Sequence, residues 1–222
     1  MKIAIIGAGN VGKALGSSFS RAGHEVVFAA RGSEHPRQAA GAVGATAVAT
    51  PADAARGADL VVLAVPYASA ARDVASQIAP NVTGKIVIDA TNPLTPDYSA
   101  LATAGGPSGA ENFATWLPGA RVVKAFNTLF ASVQADPGTH GVMVDALYAT
   151  DDGEAKTTIA DVLRSLGFRP VYVGPLARAR ELEAIAFLNI QLQMQAQGDW
   201  RTAVTLVGAP PAATAPGSAA DR

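Results

Sequence analysis

The sequence predicts an α/β fold, a doubly wound and mostly parallel sheet with a small C-terminal α/β appendage. Short β-branched runs alternate with helical patterns along the chain, which is typical of a parallel sheet covered by helices on both faces. Residues 60–65 are apolar throughout, as expected of a strand that is buried on both sides. A glycine-rich turn at residues 7–12 joins the first predicted strand to the first predicted helix.

Composition agrees with this class and excludes several functions. The chain has 222 residues, 49% of them hydrophobic, so it can bury a full core without metal or disulfide cross-links. Because 17 Lys and Arg stand against 18 Asp and Glu, we expect neither a nucleic-acid nor a membrane partner. The absence of Cys removes disulfides, thiolate zinc sites and thiol catalysis, and no metal is expected. Because the sequence shows neither an export signal nor an apolar run long enough to span a membrane, a cytoplasmic location is expected.

Strands and helices alternate in the first third of the chain. Strands are expected over residues 2–6, 25–30, 45–49 and 60–65, and helices over 10–22, 37–42, from Pro51, and over 68–78. The first helix buries a stripe of Val11, Leu15 and Phe19, and Gly23 ends it. Pro51 suits the first position of a helix.

The remaining chain continues the alternation with longer loops. Strands are expected over residues 85–89, 121–125, 145–149 and 169–173, and helices over 153–166 and 179–197. Ser108 and Glu111 match a capping box that begins a helix ending near residue 116. The segments 90–107 and 126–141 are expected to be loops, because Pro and Gly are frequent in them.

The turn after the first strand has the dinucleotide-binding spacing G-x-G-x-x-G, in the residues Gly7, Ala8, Gly9, Asn10, Val11 and Gly12. A preceding strand and a following helix are the context that this motif requires. Gly7 permits the tight turn, Gly9 lets a pyrophosphate approach the backbone, and Gly12 lets the helix pack closely. Free N–H groups at the start of the helix would hold the diphosphate, so a Rossmann-type site is predicted.

The end of the second strand indicates which dinucleotide binds. NAD sites place a carboxylate there, whereas this chain has Arg31 and Ser33, with Arg37 further on. A guanidinium binds a 2′-phosphate through two hydrogen bonds, and a hydroxyl can add a third donor. Glu34 lies close by and opposes this interpretation. NADPH is predicted in preference to NADH.

Three further strand ends are expected to surround the nicotinamide, because ligands of open α/β sheets lie beyond the carboxyl ends of the strands. Their residues are Val65, Pro66, Thr91, Asn92, Pro93 and Asn127. We expect Pro66, Asn92 and Asn127 to position the hydride transfer. The polar side chains among the six either bond the ligand or only cap their loops.

No catalytic acid–base pair is evident in the sequence. Lys124 is expected to extend its ammonium group to solvent, and Asp89 is expected to accept hydrogen bonds at a strand end. Hydride transfer between two stacked rings needs little proton transfer; the protein must hold the two carbons roughly 3–3.5 Å apart and exclude water.

Several segments together resemble a known family. The runs VVLAVPY, VIDATNPL, VVKAFNTL and GPLARARELE, with the glycine turn, are similar to NADP oxidoreductases that depend on the deazaflavin coenzyme F420, a family that includes the cytosolic reductase domain of STEAP metalloreductases. The resemblance covers residues 1–207. It implies hydride transfer between NADPH and coenzyme F420 or a flavin-like acceptor, in a chain that often forms homodimers.

The resemblance also implies a division of the chain. Residues 1–150 would form the NADP-binding Rossmann domain, and 151–207 an appendage that completes the acceptor site and contributes a dimer contact. For residues 208–222, outside the resemblance, the Pro-rich composition without large apolar residues predicts a disordered tail. Acceptor contacts are expected within residues 133–142, where His140 is a candidate.

Two other functions remain open. One is an NADPH-dependent reductase of a small metabolite, related to enzymes that reduce hydroxyacids or pyrroline carboxylate. The other is a non-catalytic NADPH-binding regulatory module. The sequence does not decide the acceptor.

Overall fold

A computed structural model of the protein describes residues 1–30 and 34–208. Within these residues the strands are β1 (Lys2–Ile6), β2 (Glu25–Ala29), β3 (Thr46–Ala47), β4 (Leu60–Leu63), β5 (Ile86–Asp89), β6 (Arg121–Ala125), β7 (Asp145–Thr150) and β8 (Arg169–Gly174). The α-helices are α1 (Asn10–Arg21), α2 (Glu34–Ala42), α3 (Pro51–Gly57), α4 (Tyr67–Ile78), α5 (Gly109–Trp116), α6 (Ala131–Ala135), α7 (Gly153–Ser165) and α8 (Ala179–Ala196).

The strands form one sheet in the order β3-β2-β1-β4-β5-β6-β7-β8. All neighbouring strands run parallel except β6 and β7, which are antiparallel. The predicted doubly wound, mostly parallel sheet is therefore confirmed. The strand order reverses between β1 and β4, and such a reversal leaves a crevice beyond the carboxyl ends of the two strands.

Helices cover both faces of the sheet, so the core has two apolar layers. In β1, Ile3 and Ile5 belong to one layer, and Ala4 and Ile6 belong to the other. Successive side chains of a strand point to opposite faces, which explains why the buried strands are apolar at every position. The run of residues 60–63 follows the same rule.

The predicted helix ends agree closely with the structure. Thr50 caps α3 by accepting a hydrogen bond from the Asp53 backbone N–H at 3.1 Å. At the start of α5, Ser108 and Glu111 form the complete capping box. Gly23 follows α1 with a φ of +83°, the left-handed conformation that favours glycine after a helix.

Several predicted boundaries differ from the structure: α2 begins at Glu34 rather than residue 37, and β3 spans only Thr46–Ala47 rather than residues 45–49. Two further differences have tertiary causes. The loop predicted after β6 contains α6, whose side chain Gln134 donates hydrogen bonds to the carbonyls of Phe126 (3.1 Å) and Leu129 (2.8 Å). Strand β4 ends at Leu63 rather than residue 65, although the Ala64 N–H still donates to Ile6 O at 2.8 Å. The chain leaves the sheet there and enters the crevice.

The C-terminal elements continue the sheet and cover its end. Strand β8 pairs with β7, and Leu182 of α8 packs against Leu147 and Ala149 of β7. Of the tail predicted at 208–222, only Gly208 lies within the described residues. Among the helices that the structure describes, none is long and apolar enough to cross a membrane.

Candidate functional site

The glycine turn lies in the crevice between β1 and β4. Gly7 has a φ of +117°, and a Cβ atom on it would lie 2.1 Å from the carbonyl oxygen of Ala64. A Cβ atom on Gly12 would lie 1.9 Å from the carbonyl oxygen of Gly7. By contrast, a Cβ on Gly9 would have no heavy atom within 4 Å. Close packing therefore requires glycine at positions 7 and 12, whereas Gly9 has open space beside it.

The first turn of α1 points its free N–H groups at that open space. Gly9 is the N-cap residue, and no side chain of the described residues caps the helix there. The first turn contains no acidic residue, and Gly9 and Asn10 are exposed. The unpaired N–H groups and the positive end of the helix dipole together favour an anion at this position.

A cavity of about 510 Å³ adjoins the turn. It is lined by Ile6, Gly7, Ala8, Gly9, Ala30, His35, Ala49, Thr50, Pro51, Ala64, Val65, Pro66, Ala70, Asp73, Val74 and Gln77. The lining is largely apolar with a few polar groups at its rim, which is typical of pockets for organic ligands. The crevice thus joins an anion-binding turn to a cavity that would accept an adenosine group.

The structure brings part of the predicted nucleotide site together. Ala8, Val65 and Pro66 line the cavity, while Arg37 is exposed on α2. Arg31 and Ser33 lie outside the described residues. Their predicted contacts with a 2′-phosphate, and that of Arg37, stay predictions.

Asn92 and Asn127 hold the loops after β5 and β6 together. The Asn127 side-chain Nδ2 donates to Asn92 Oδ1 at 3.1 Å and to the Leu182 carbonyl at 3.0 Å. In return, Asn92 Nδ2 donates to the Asn127 carbonyl at 3.1 Å. Asn127 Oδ1 is buried and has no hydrogen-bond partner among the described residues. A buried acceptor of this kind is usually satisfied, and Gln134 Oε1 is the other such side-chain atom among the described residues.

The backbone just before Asn127 has an uncommon conformation. Phe126 has a φ of +67°, which is strained for a bulky side chain and occurs most often at functional loops. The ring is fully buried, with edge contacts to Phe19 and Phe168 at centroid distances of 6.1 and 6.5 Å. Packing of the ring thus fixes the turn that places Asn127.

Lys124 does not reach solvent, contrary to the sequence prediction. Its ammonium group is fully buried and donates to Asp89 Oδ2 at 2.8 Å, to the Thr91 carbonyl at 2.7 Å and to Glu183 Oε1 at 2.9 Å. The prediction that the Lys124 ammonium group extends to solvent was wrong, because two carboxylates and a carbonyl take the place of water around it inside the protein. Asp89 Oδ1 also accepts from the Thr91 N–H (2.8 Å) and hydroxyl (2.7 Å), so its predicted role as an acceptor is confirmed.

The charges of this network affect one another strongly. Burial by itself would lower the pKa of Lys124, but the carboxylates of Asp89 and Glu183 outweigh it, so the pKa is raised. Burial raises the pKa of Glu183; Lys124 opposes that rise and Asp89 adds to it. Glu183 ends the run GPLARARELE that carries the resemblance, but the sequence analysis assigned it no role, although a charged residue between Leu182 and Ala186 on an apolar helix face was a usable signal.

A second cavity, of about 470 Å³, lies on the Glu183 side of the network. Its lining residues are Leu101, Thr103, Ala104, Gly105, Gly106, Pro107, Ser108, Arg180 and Glu183. Arg180 is held by Glu111 through two hydrogen bonds of 2.8 Å. These hydrogen bonds from Arg180, with those from Ser108, lower the pKa of Glu111 to about 2 although partial burial opposes the shift.

His140, the predicted acceptor contact, is exposed in the loop before β7. The structure contains nothing that tests its role. Pro93 and Thr91 are buried after β5, and Asn92 is half-buried. Asn92 is thus the most exposed of the polar strand-end residues, because Asn127 is buried as well.

Comparisons with known proteins agree with this geometry. Residues 2–93 match the family model described as NADP oxidoreductase, coenzyme F420-dependent. The F420-dependent NADP reductase of Methanothermobacter thermautotrophicus is 35% identical over 211 residues, which are 88% of this chain and 90% of that protein. Metalloreductase STEAP3 of Rattus norvegicus is 32% identical over 185 residues; these are 83% of this chain but only 36% of the rat protein.

A solved structure is similar over nearly its whole length. It is a crystal structure from Arthrobacter sp. FB24 described as an F420-dependent NADP reductase. The TM-score is 0.82 with 30% identity, and the match covers 90% of this chain and 97% of that one.

The Glu111 carboxylate gives a prediction about pH and stability. Glu111→Gln keeps the side-chain length for the cap but removes the charge that pairs with Arg180, so at pH 7 the melting temperature should fall by about 2–4 °C. The pKa of Glu111 is lowered from 4.5 to about 2. Its charge therefore stabilises the folded protein above pH 4.5, and this contribution is lost as the pH falls through 2.

The difference in melting temperature between wild type and Glu111→Gln should accordingly shrink from pH 5 towards pH 2, as measured by circular dichroism. Glu181→Gln is the matched control, because Glu181 pairs with Arg178 where both side chains are 55% exposed, and such pairs contribute little. A difference that stays constant with pH would contradict the assignment.

Proposed function

Since the chain belongs to the family of coenzyme F420-dependent NADP oxidoreductases, we propose that it transfers a hydride between NADPH and coenzyme F420 or a flavin-like acceptor. Family membership makes it an NADP-dependent oxidoreductase; the acceptor is the part that we propose. The observation that carries the proposal is the uncapped start of α1, open beside Gly9 at the reversal of the strand order.

The coenzyme would lie along the crevice with its phosphates at the glycine turn. The N–H groups of Gly9, Asn10 and Val11 would hold the pyrophosphate, and the cavity of about 510 Å³ would hold the adenosine. Arg31, Ser33 and Arg37 would bind the 2′-phosphate, because a guanidinium matches a phosphate in charge and shape. This set gives the proposed preference for NADPH over NADH.

The nicotinamide would lie over the carboxyl ends of β4, β5 and β6. Pro66 lines the cavity beside the glycine turn, and Asn92 and Asn127 follow the carboxyl ends of β5 and β6. Asn92, which is half-buried, would bond the carboxamide of the nicotinamide. When bound, NADPH supplies a hydride to the acceptor and becomes NADP⁺, and one proton from solvent completes the reduced deazaflavin.

The chain's own contribution is binding, orientation and exclusion of water. None of the three Lys124 N–H groups is free, because each has an acceptor. A lysine in this state serves to hold its neighbours rather than to donate protons to a substrate. Positioning of the two carbons, worth several orders of magnitude in rate, then accounts for the catalysis.

We also propose that the protein forms a homodimer through α8. Leu188, Leu192 and Met194 on this helix are 61%, 53% and 45% exposed, and Tyr98 lies next to them because its carbonyl accepts from Gln191 at 2.7 Å. A cluster of large apolar side chains at the surface is typical of a subunit contact. Light scattering at micromolar concentration should give twice the chain mass of 22.4 kDa; the monomer mass would contradict the dimer.

The direct test mixes the protein with NADPH and, one at a time, coenzyme F420, FMN, a ferric chelate and a cyclic imine. The absorbance of the reduced nicotinamide reports the reaction. We expect the fastest oxidation with coenzyme F420. NADPH binding without oxidation by any acceptor would instead favour the regulatory module, and oxidation by the imine alone would favour a metabolite reductase.

Two glycine variants separate coenzyme binding from folding. Gly9→Ala should leave the melting temperature of the coenzyme-free protein within about 1 °C of wild type, because its φ of −79° suits alanine and no heavy atom lies within 4 Å of the new Cβ. The same methyl group would occupy the pyrophosphate position, so the Kd for NADPH should rise at least about tenfold. Gly12→Ala should lower the melting temperature itself, because its Cβ meets the Gly7 carbonyl.

Gly153→Ala is the control for both glycine variants, since Gly153 begins α7 far from the turn along the sheet and a Cβ there has no heavy atom within 4 Å. Differential scanning fluorimetry and fluorescence titration measure the two effects. An unchanged affinity for NADPH in Gly9→Ala would contradict the proposed placement of the pyrophosphate at this turn.

A further inference from the structure

We propose that Lys124 and Glu183 are positioning residues for the hydride transfer: with Asp89 they form a buried ion network that fixes helix α8 and the segment of residues 91–93 relative to each other on the acceptor side of the site. The inference rests on the proposed function for its effect on rate. The network itself is a property of the described structure.

Each hydrogen bond of Lys124 reaches a different part of the chain. Asp89 is the last residue of β5, Thr91 belongs to the loop that follows, and Glu183 lies on α8. All three groups are buried, with exposed fractions of 0%, 4% and 1%. A single ammonium group on β6 therefore sets the distance between the end of β5 with its following loop and helix α8, which are far apart in sequence.

Asn127 repeats the same connection three residues later. Its side chain donates to Asn92 in the β5 loop and to the carbonyl of Leu182 on α8. Lys124 and Asn127 thus join β6 to the same loop and the same turn of helix at neighbouring positions. Two such connections restrict both the distance and the rotation of α8 relative to the loop after β5, whereas one connection would restrict only the distance.

Glu183 extends the network to the second cavity. Its two carboxylate oxygens accept from the Gly109 N–H at 2.9 and 3.2 Å, at the start of α5. Glu183 also lines the cavity of about 470 Å³. A change at Glu183 is therefore transmitted both to the loop beside the proposed nicotinamide position and to a cavity that borders the same network.

The chemistry of the network indicates positioning rather than simple stabilisation. Buried ion pairs are costly to desolvate, and apolar residues of similar volume often stabilise a protein as well or better. Large apolar layers flank the network, and the free energy of unfolding does not require a buried charge where apolar packing is available. Charged partners at fixed distances define one arrangement, and a misplacement of about 1 Å can cost hydride transfer about 100-fold in rate.

The test compares Glu183→Ala and Glu183→Gln with Glu181→Ala, a control two residues away on the exposed face of α8. NADPH affinity is measured by fluorescence titration, and the rate of a single turnover is measured with coenzyme F420 in the stopped-flow instrument. Hydrogen–deuterium exchange of the NADP⁺-bound proteins follows the peptides that contain residues 90–94 and 109–113.

Glu183→Ala should bind NADPH within about threefold of wild type but transfer the hydride at least about tenfold more slowly. Its peptides 90–94 and 109–113 should exchange faster, whereas the glycine-turn peptide should not change. Glu183→Gln keeps an acceptor for Lys124 and should recover most of the rate. Glu181→Ala should match wild type in every measurement.

A variant with no buried charge covers the case in which Glu183→Ala does not fold. Asp89→Asn, Lys124→Met and Glu183→Gln together remove every charge of the network without leaving one unpaired, and the same slow transfer with intact NADPH affinity is expected. Parallel losses of affinity and rate in Glu183→Ala or in the triple variant, or a wild-type rate in either of them, would overturn the proposal.

Failure of the proposed function has a different signature. If the wild-type protein itself reduces no acceptor, the acceptor assignment fails while the exchange measurements still judge the network. Unchanged exchange in residues 90–94 of Glu183→Ala would then overturn the positioning role.

Discussion

The site depends on close backbone contacts at the crevice between β1 and β4. The Gly7 N–H donates to Ala29 O at 2.8 Å, and the Ala64 N–H donates to Ile6 O at 2.8 Å, so the turn is tied to the ends of two strands. Any side chain on Gly7 or Gly12 would collide with a carbonyl group. Because α1 can start only where these glycines permit it, the direction of its dipole, the openness of Gly9 and the cavity beside it all follow from this contact.

Local signals were sufficient for most of the fold. Continuous apolar runs predicted the buried strands, and the capping residues Thr50 and Ser108 predicted helix starts that the structure confirms. These signals succeed because a strand between two helical layers and a capped helix end are both determined by neighbours in sequence. Helix α6 was missed because its stabilising contacts, such as those of Gln134 with the carbonyls before it, arise from the turn at Phe126.

The two halves of the candidate site differ in how far the sequence alone could indicate them. The glycine spacing is local, so residues 7–12 could be recognised directly. The network of Lys124 joins residues 35 and 59 positions apart in sequence, and no local pattern specifies such partners. The position of Lys124 within an apolar strand was nevertheless informative, because a charged group that is buried by the fold requires an opposite charge close to it. That argument would have predicted a carboxylate partner without identifying Glu183.

If the proposed function holds, the two halves of the site would divide the work of catalysis in energetic terms. Contacts with phosphates would be made equally before and during hydride transfer, so the turn at Gly9 would contribute affinity but no acceleration by itself. Acceleration requires that the affinity be used to hold the reacting carbons in place, which depends on the loops after β5 and β6. In this chain those loops are cross-linked by Asn92, Asn127 and the buried Lys124. In the proposed function, the open and uncapped start of α1 would therefore supply binding free energy, and the buried ion network beside the loops after β5 and β6 would convert it into orientation.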